Sequence, residues 1–185
     1  TVSGNNITAA NFYAANLITA ADSTITTTSG QQTYGTIDGT TAFTENLILN
    51  ASMVTLNRSV GAVTSLALLT LNADLTVGAS GIELAANQIS FAGDITGSGN
   101  KLTINTPVLK STVANPAPGS AAITLGELEF AQDTSIQTQD PTTIAFTVPV
   151  ISGSGKTITQ ATSGSTFTFA GDVAIDPSFV TSAGT

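Results

Sequence analysis

The chain has no cysteine, no histidine and no tryptophan, and its only cations are Arg58, Lys101, Lys110 and Lys156. Each absence removes a class of function. Without Cys or His there is no thiol nucleophile, no His-based triad and no common zinc site. No disulfide can staple the fold, so burial and backbone ladders must hold it. Four cations against twelve acidic residues leave a net charge of −8. That is too little positive charge to neutralise a phosphate backbone, so nucleic acid is excluded, and an anionic membrane surface is disfavoured. No apolar run approaches the ~18 residues of a membrane span; the longest candidate is Ser65-Leu-Ala-Leu-Leu-Thr-Leu71. The chain opens on Thr1, as it would after signal removal or at a boundary within a longer chain.

What is present is hydrophobic and hydroxyl-rich. Charged residues make up 9% of the chain, against about a quarter in an average globular protein. Hydrophobic content is 41%, enough for a continuous core and far from the composition of disorder. From Ser23 onward apolar residues alternate with Thr or Ser: Thr24-Ile-Thr26, Val54-Thr-Leu56, Leu69-Thr-Leu71, Leu75-Thr-Val77, Ile89-Ser-Phe91, Leu102-Thr-Ile104 and Ile123-Thr-Leu125. A period of two puts aliphatic side chains on one face of a strand and hydroxyls on the other. Turn formers separate these runs, among them Asp38-Gly39, Ser80-Gly81, Gly97-Ser-Gly99 and Gly153-Ser-Gly155. The segment Asn6 to Ile18 reads as two strands with Asn at their turns, because no Glu or Lys supports an exposed helix. Residues 1–21 are expected to form an N-terminal capping or donor-strand segment, and residues 22–185 a repetitive all-β domain. The loop Lys110 to Ala121, with Asn115-Pro116 and Pro118-Gly119, is the candidate hinge or insertion.

Three phrases recur. Ile89-Ser-Phe-Ala-Gly-Asp-Ile95 returns as Phe167-Thr-Phe-Ala-Gly-Asp-Val173. Ile95-Thr-Gly-Ser-Gly-Asn-Lys-Leu-Thr-Ile104 is echoed by Ile151-Ser-Gly-Ser-Gly-Lys-Thr-Ile-Thr159. Asn46-Leu-Ile-Leu-Asn50, Leu68-Leu-Thr-Leu-Asn72 and Lys101-Leu-Thr-Ile-Asn105 are variants of one strand. Degenerate strand-turn repeats that bury one face by stacking predict a parallel β-helix, a β-solenoid. A β-sandwich or jelly-roll filament subunit is the alternative, since it uses similar strands and turns. The discriminator is parallel coils against antiparallel hairpins.

Residues 54–77 resemble the repeats of filamentous-haemagglutinin-type exported proteins, which run strand, Val-Gly turn, Leu-rich strand, Asn turn. Ser29-Gly-Gln-Gln-Thr-Tyr34 and the two Phe-Ala-Gly-Asp segments resemble further phrases of that family. The resemblance covers about residues 22–175, while Lys110 to Pro149 matches it poorly. It implies a right-handed parallel β-helix at a bacterial surface, acting as an adhesin or as a stalk. The start, Asn6 to Tyr13, is instead similar to strands of phage tail fibres.

Chemistry has few places to reside. Gly97-Ser-Gly-Asn-Lys101 and Gly153-Ser-Gly-Lys156 lack the spacing of a phosphate loop and precede no helical pattern. Glu127 and Glu129 alternate with Leu128 and so share a strand face, where a solvated edge-protecting role outweighs a glycosidase pair. With Asp133 and Asp140 they are the candidate Ca²⁺ ligands, although no Asp-x-Asp-x-Asp-Gly loop is present. Asp172 and Asp176 make a weaker case, and the isolation of Arg58 argues against a polysaccharide lyase. The pairs Thr24/Thr26, Thr157/Thr159 and Thr166/Thr168 fall at unequal separations, so strand propensity explains them better than an ice-binding face. Sequons occur at Asn6, Asn50 and Asn57. Sugar sites favour exposed aromatic rings, and only Tyr13 and Tyr34 are available; most of the eight Phe are expected in the core. The expected function is therefore structural and non-enzymatic, a segment of an extracellular or cell-surface fibre, filament or adhesin. It needs no cofactor beyond a candidate Ca²⁺. Its expected partners are further copies added end to end by β-strands, and a surface glycan or host protein. The alternative is a carbohydrate-binding or carbohydrate-acting β-helix.

Overall fold

The computed structural model describes residues 1–4, 6–112, 120–139 and 142–181. They form strands and turns with no helix. In chain order the strands are β1 (Asn6–Ala9), β2 (Phe12–Thr19), β3 (Ser23–Thr27), β4 (Gln31–Gly39), β5 (Asn46–Leu56), β6 (Leu66–Val77), β7 (Ile82–Phe91), β8 (Ile95–Asn105), β9 (Val108–Ser111), β10 (Ser120–Phe130), β11 (Thr134–Thr138), β12 (Thr143–Thr147), β13 (Val150–Ser152), β14 (Thr157–Gln160), β15 (Thr166–Phe169), β16 (Ala174–Ile175) and β17 (Ser178–Thr181). Every described ladder between them is parallel, and each strand pairs with one a coil away. This is a β-solenoid of about eight turns, and the parallel pairing rules out the sandwich.

Each coil has three sides. The first carries β1, β3, the first half of β5 and of β6, the end of β7, then β9, β11, β14 and β17. The second carries the starts of β2, β4, β8 and β10, the second halves of β5 and β6, then β12 and β15. The third carries the ends of β2, β4, β8 and β10, the start of β7, then β13 and β16. The long strands are long because they run around a corner. Register shifts at Asn50/Met53 and Leu125/Glu127 absorb two such bends.

The alternation seen in the sequence becomes columns of stacked side chains inside the coil. Ile25, Leu49, Leu71 and Phe91 stack in register along the first side, beside Leu47, Leu69, Ile89, Leu109 and Ile136. On the third side the column is Leu17, Ile37, Val60, Leu84, Ile104 and Phe130. All are essentially buried, and each such side chain contributes roughly 1.5–3 kcal/mol by leaving water. Outward amides add their own ladder: Asn72 Nδ2 donates to Asn50 Oδ1 (2.8 Å), and Asn50 Nδ2 donates to Thr26 Oγ1 (3.1 Å).

Stacking of like over like holds for one repeated phrase only. Asn46–Asn50 lies directly under 68–72, with Leu47 on Leu69 and Asn50 on Asn72. The third copy, 101–105, lies on the third side instead. The Phe-Ala-Gly-Asp copies round different corners, the first leading from side one to side two, the second from side two to side three. The Gly-Ser-Gly copies are displaced in the same way. Residues 1–21 contribute the first coil: β1 pairs with β3 and β2 with β4. Of the candidate hinge, residues 113–119 lie outside the described residues; β9 ends before them and β10 resumes the coil after them.

Candidate functional site

Most of the described carboxylates have structural partners. Glu127 and Glu129 do project from the same face of β10, and between them reaches Lys101 from β8, the coil below. Its Nζ lies 2.9 Å from Glu127 Oε1 and 3.1 Å from Glu129 Oε2. Ser152 Oγ donates to Glu127 (2.8 Å), and Thr103 Oγ1 donates to Glu129 (2.9 Å). The ammonium holds the Glu127 carboxyl below the usual carboxylate range, and the same pairing raises Lys101. Asp133 stands at a corner, where Oδ1 accepts the Thr157 backbone N–H at 2.8 Å. Asp140 lies outside the described residues. Among the described residues no group of three or more acidic side chains is placed to hold a metal. The Glu127/Glu129 face is a cross-coil ion-pair network with a lysine at its centre.

Other aspartates repeat the corner role. Asp22 accepts the Asn46 N–H at 2.9 Å, Asp74 the Asp94 N–H at 3.0 Å, and Asp94 the Ala122 N–H at 2.8 Å. Asp38 Oδ1 receives the N–H groups of Val63 (3.0 Å) and Thr64 (3.3 Å). At a corner the ladder is interrupted, and a short side-chain acceptor supplies the bond that the backbone cannot. Asp172 and Asp176, in contrast, are exposed on the last described coil.

Glu45 is the buried acid, and sequence reasoning passed over it. Its Oε1 accepts the Thr40 hydroxyl (2.6 Å) and the N–H groups of Thr40 (3.2 Å) and Thr41 (3.0 Å). These bonds, the Thr40 hydroxyl first, hold its carboxyl below the ordinary range. Oε2 has no hydrogen-bond partner and rests over Gly39. The carboxylate ties down the turn that carries Phe43, a non-glycine residue at φ 61°. Phe43 is also the clearest departure from the expectation of core phenylalanines, being half exposed.

The two tyrosines separate completely. Tyr34 is buried, its O–H donating to Gln32 Oε1 (2.9 Å), and burial pushes its phenol up. Tyr13 is 74% exposed. Its position heads an outward file on the second side that the sequence conceals. Tyr13 pairs with Thr33, Thr33 with Thr55, Thr55 with Thr76, Thr76 with Thr96, Thr96 with Thr124, and Thr124 with Thr147. Neighbouring strands lie about 4.8 Å apart, so the file is an evenly spaced row of hydroxyls. From Thr55 onward each of these threonines is the second member of an apolar-Thr pair, which was visible, whereas Thr33 follows Gln32. Their alignment was not, because coil length varies: Thr76 to Thr96 is 20 positions, and Thr96 to Thr124 is 28. The Thr-x-Thr pairs singled out in the sequence do not align; Thr24/Thr26 and Thr157/Thr159 lie on the first side, Thr166/Thr168 on the second.

Beside this file, at the corner between sides two and three, an open cleft of about 470 Å³ is lined by Asn57, Arg58, Ser59 and Ser80 among others. Arg58 is exposed and makes no ion pair among the described residues. Ser59 Oγ accepts the Glu83 N–H (3.0 Å) and Ser80 Oγ accepts the Lys101 N–H (3.1 Å), which leaves both hydroxyl protons to donate. The cleft is a donor-rich spot on an acidic molecule. Among the described residues no helix is long and apolar enough to cross a membrane. Compared with protein-family models, curated proteins and solved structures, the chain has no match in any of the three, so its own geometry carries the functional reading.

Proposed function

We propose that this chain is a non-catalytic structural segment of an extracellular or cell-surface fibre, filament or adhesin, of the kind suggested by its resemblance to filamentous-haemagglutinin-type repeats. One observation carries the reading. The ladder runs through about eight turns, and most of the acids beside it are taken up by backbone N–H groups or by Lys101. Such a molecule is a rod that presents surfaces, with most of its described carboxylates engaged in holding one coil to the next. In this reading copies associate end to end. Among the described residues β15, β16 and β17 each pair on one edge, and Phe169 and Ile175 on the last described coil remain partly exposed. A further coil laid on that edge continues the hydrogen-bond ladder and covers those side chains. Electron microscopy and light scattering test this: the protein should form concentration-dependent fibres, and a Thr168→Lys/Ala174→Lys variant should stay monomeric while remaining folded. Fibres that survive the lysines would exclude the strand-edge mechanism, and robust release of reducing sugar from any polysaccharide would overturn the structural reading.

A second reading, carbohydrate binding, is favoured by the exposed ring of Tyr13 at the head of the threonine file.

A further inference from the structure

We infer that the strip formed by Tyr13, Thr33, Thr55 and the Arg58 cleft binds a short oligosaccharide carrying a carboxylate, with Arg58 as the partner of the acid. The inference rests on the carbohydrate-binding reading and gives it a site and a substrate class. Three features of different origin converge on one strip. Tyr13 offers an exposed ring at the head of the file, and such an amphipathic ring suits the apolar face of a sugar. Directly above it, the hydroxyls of Thr33 and Thr55 have no partner within the described residues and face outward at ladder spacing. Three residues beyond Thr55, the chain turns the corner at Arg58, whose fork of donors matches a carboxylate in bidentate fashion.

Charge chooses among sugars. Arg58 makes no ion pair among the described residues, in a chain of net charge −8. Asp74 and Asp94 lie on the same side as the threonine file but toward the opposite corner, two positions before Thr76 and Thr96. They repel an acid at that corner and leave the Arg58 end as the place for it. Ser59 and Ser80 add hydroxyl donors in the same cleft. From Tyr13 the strip rises two ladder steps to Thr55 and runs three residues along the chain. The straight line between its ends is on the order of 14 Å, the span of a short oligosaccharide rather than a single ring.

The test is calorimetric titration with tetrasaccharides of galacturonate, glucuronate and mannuronate, each beside its methyl ester, which keeps the rings and removes the charge. The wild type should bind at least one acid about fivefold more tightly than its ester, the scale of one solvent-exposed ion pair. Arg58→Gln should erase that preference and leave ester binding unchanged, whereas Tyr13→Ala should weaken acid and ester alike. Both side chains are exposed, and unchanged thermal melts will confirm that the variants fold. Binding to none of the acids, or an acid preference that survives Arg58→Gln, overturns the inference. Glycan binding that neither substitution affects also overturns this strip, yet leaves carbohydrate binding standing elsewhere on the molecule.

Discussion

At the residue scale, the closeness of the coils decides which substitutions matter. A Cβ on Gly35 would stand 1.9 Å from the carbonyl oxygen of Ala15 on the coil below. Backbone cannot yield as a side chain can, so Gly35→Ala should cost about 2–3 kcal/mol or more in urea unfolding. Gly155, at φ +72°, has open space around its Cβ position, so Gly155→Ala should cost only the 1–2 kcal/mol or so of the left-handed conformation. Glu45 makes a second prediction. Its folded-state carboxyl is held below the ordinary value of 4.5, chiefly by the Thr40 hydroxyl. Its contribution is therefore fully present above the unfolded value and is lost as pH falls through the lower folded one. Between pH 5 and 3 the wild type should lose stability more steeply than Glu45→Gln, in urea melts taken across that range. Glu127, held down by Lys101, titrates in the same sense. Little of this was legible residue by residue. Tyr13 sits in an Ala- and Asn-rich stretch and Tyr34 in a Gln-, Gly- and Thr-rich one, and only their phase relative to the coil makes one a buried donor and the other an exposed ring.

At the scale of the element, strands were easy to read and corners were not. Alternation specifies a strand by itself, because it depends on neighbours two apart. A corner depends on the coil above it, some 20 to 28 positions away. Asp94 illustrates this: in sequence it is a turn residue, and in the structure it caps the Ala122 N–H on the next coil. Asp94→Ala should cost about 1–2 kcal/mol, while Asp94→Asn, which keeps an acceptor, should cost less than half of that. Chemical denaturation of both variants distinguishes the role. The setting of the candidate Ca²⁺ ligands Glu127 and Glu129 was hidden for a related reason. Spacing along β10 put Glu127 and Glu129 on one face, as read, but gave no hint that Lys101 on β8 would be placed between them. The first-side column shows a sequence signal overlooked. After Phe91 it passes to Ser111 and Thr138, so the interior turns from hydrocarbon to hydroxyl. Ser111 is fully buried and its Oγ finds no partner. Ser111→Ala removes an unpaired polar atom without a large cavity and should leave stability unchanged or raise it by up to about 1 kcal/mol, read from the urea midpoint.

At the scale of the whole molecule, each coil touches only its neighbours, so stability should be graded along the axis. Amides of β5 to β8 are flanked by coils above and below, whereas among the described residues β15 to β17 pair on one edge. Hydrogen exchange should be slowest in the middle coils and fastest in the last, with protection falling stepwise by coil; uniform protection from end to end would indicate a single cooperative unit instead. The displaced repeats have a consequence of a different kind. Since two of the three recurring phrases are offset by whole turns plus one side of the triangle, the register of sequence reuse is set in thirds of a revolution. Lengthening such a chain is then also an act of indexing. An inserted turn moves everything downstream along the axis and leaves it facing the same way. An inserted side advances it by one third of a revolution as well, and every distal feature comes to look in a new direction. In a molecule of this build, orientation about the axis is a quantity that can be inherited or altered by duplication alone, without changing a single side chain.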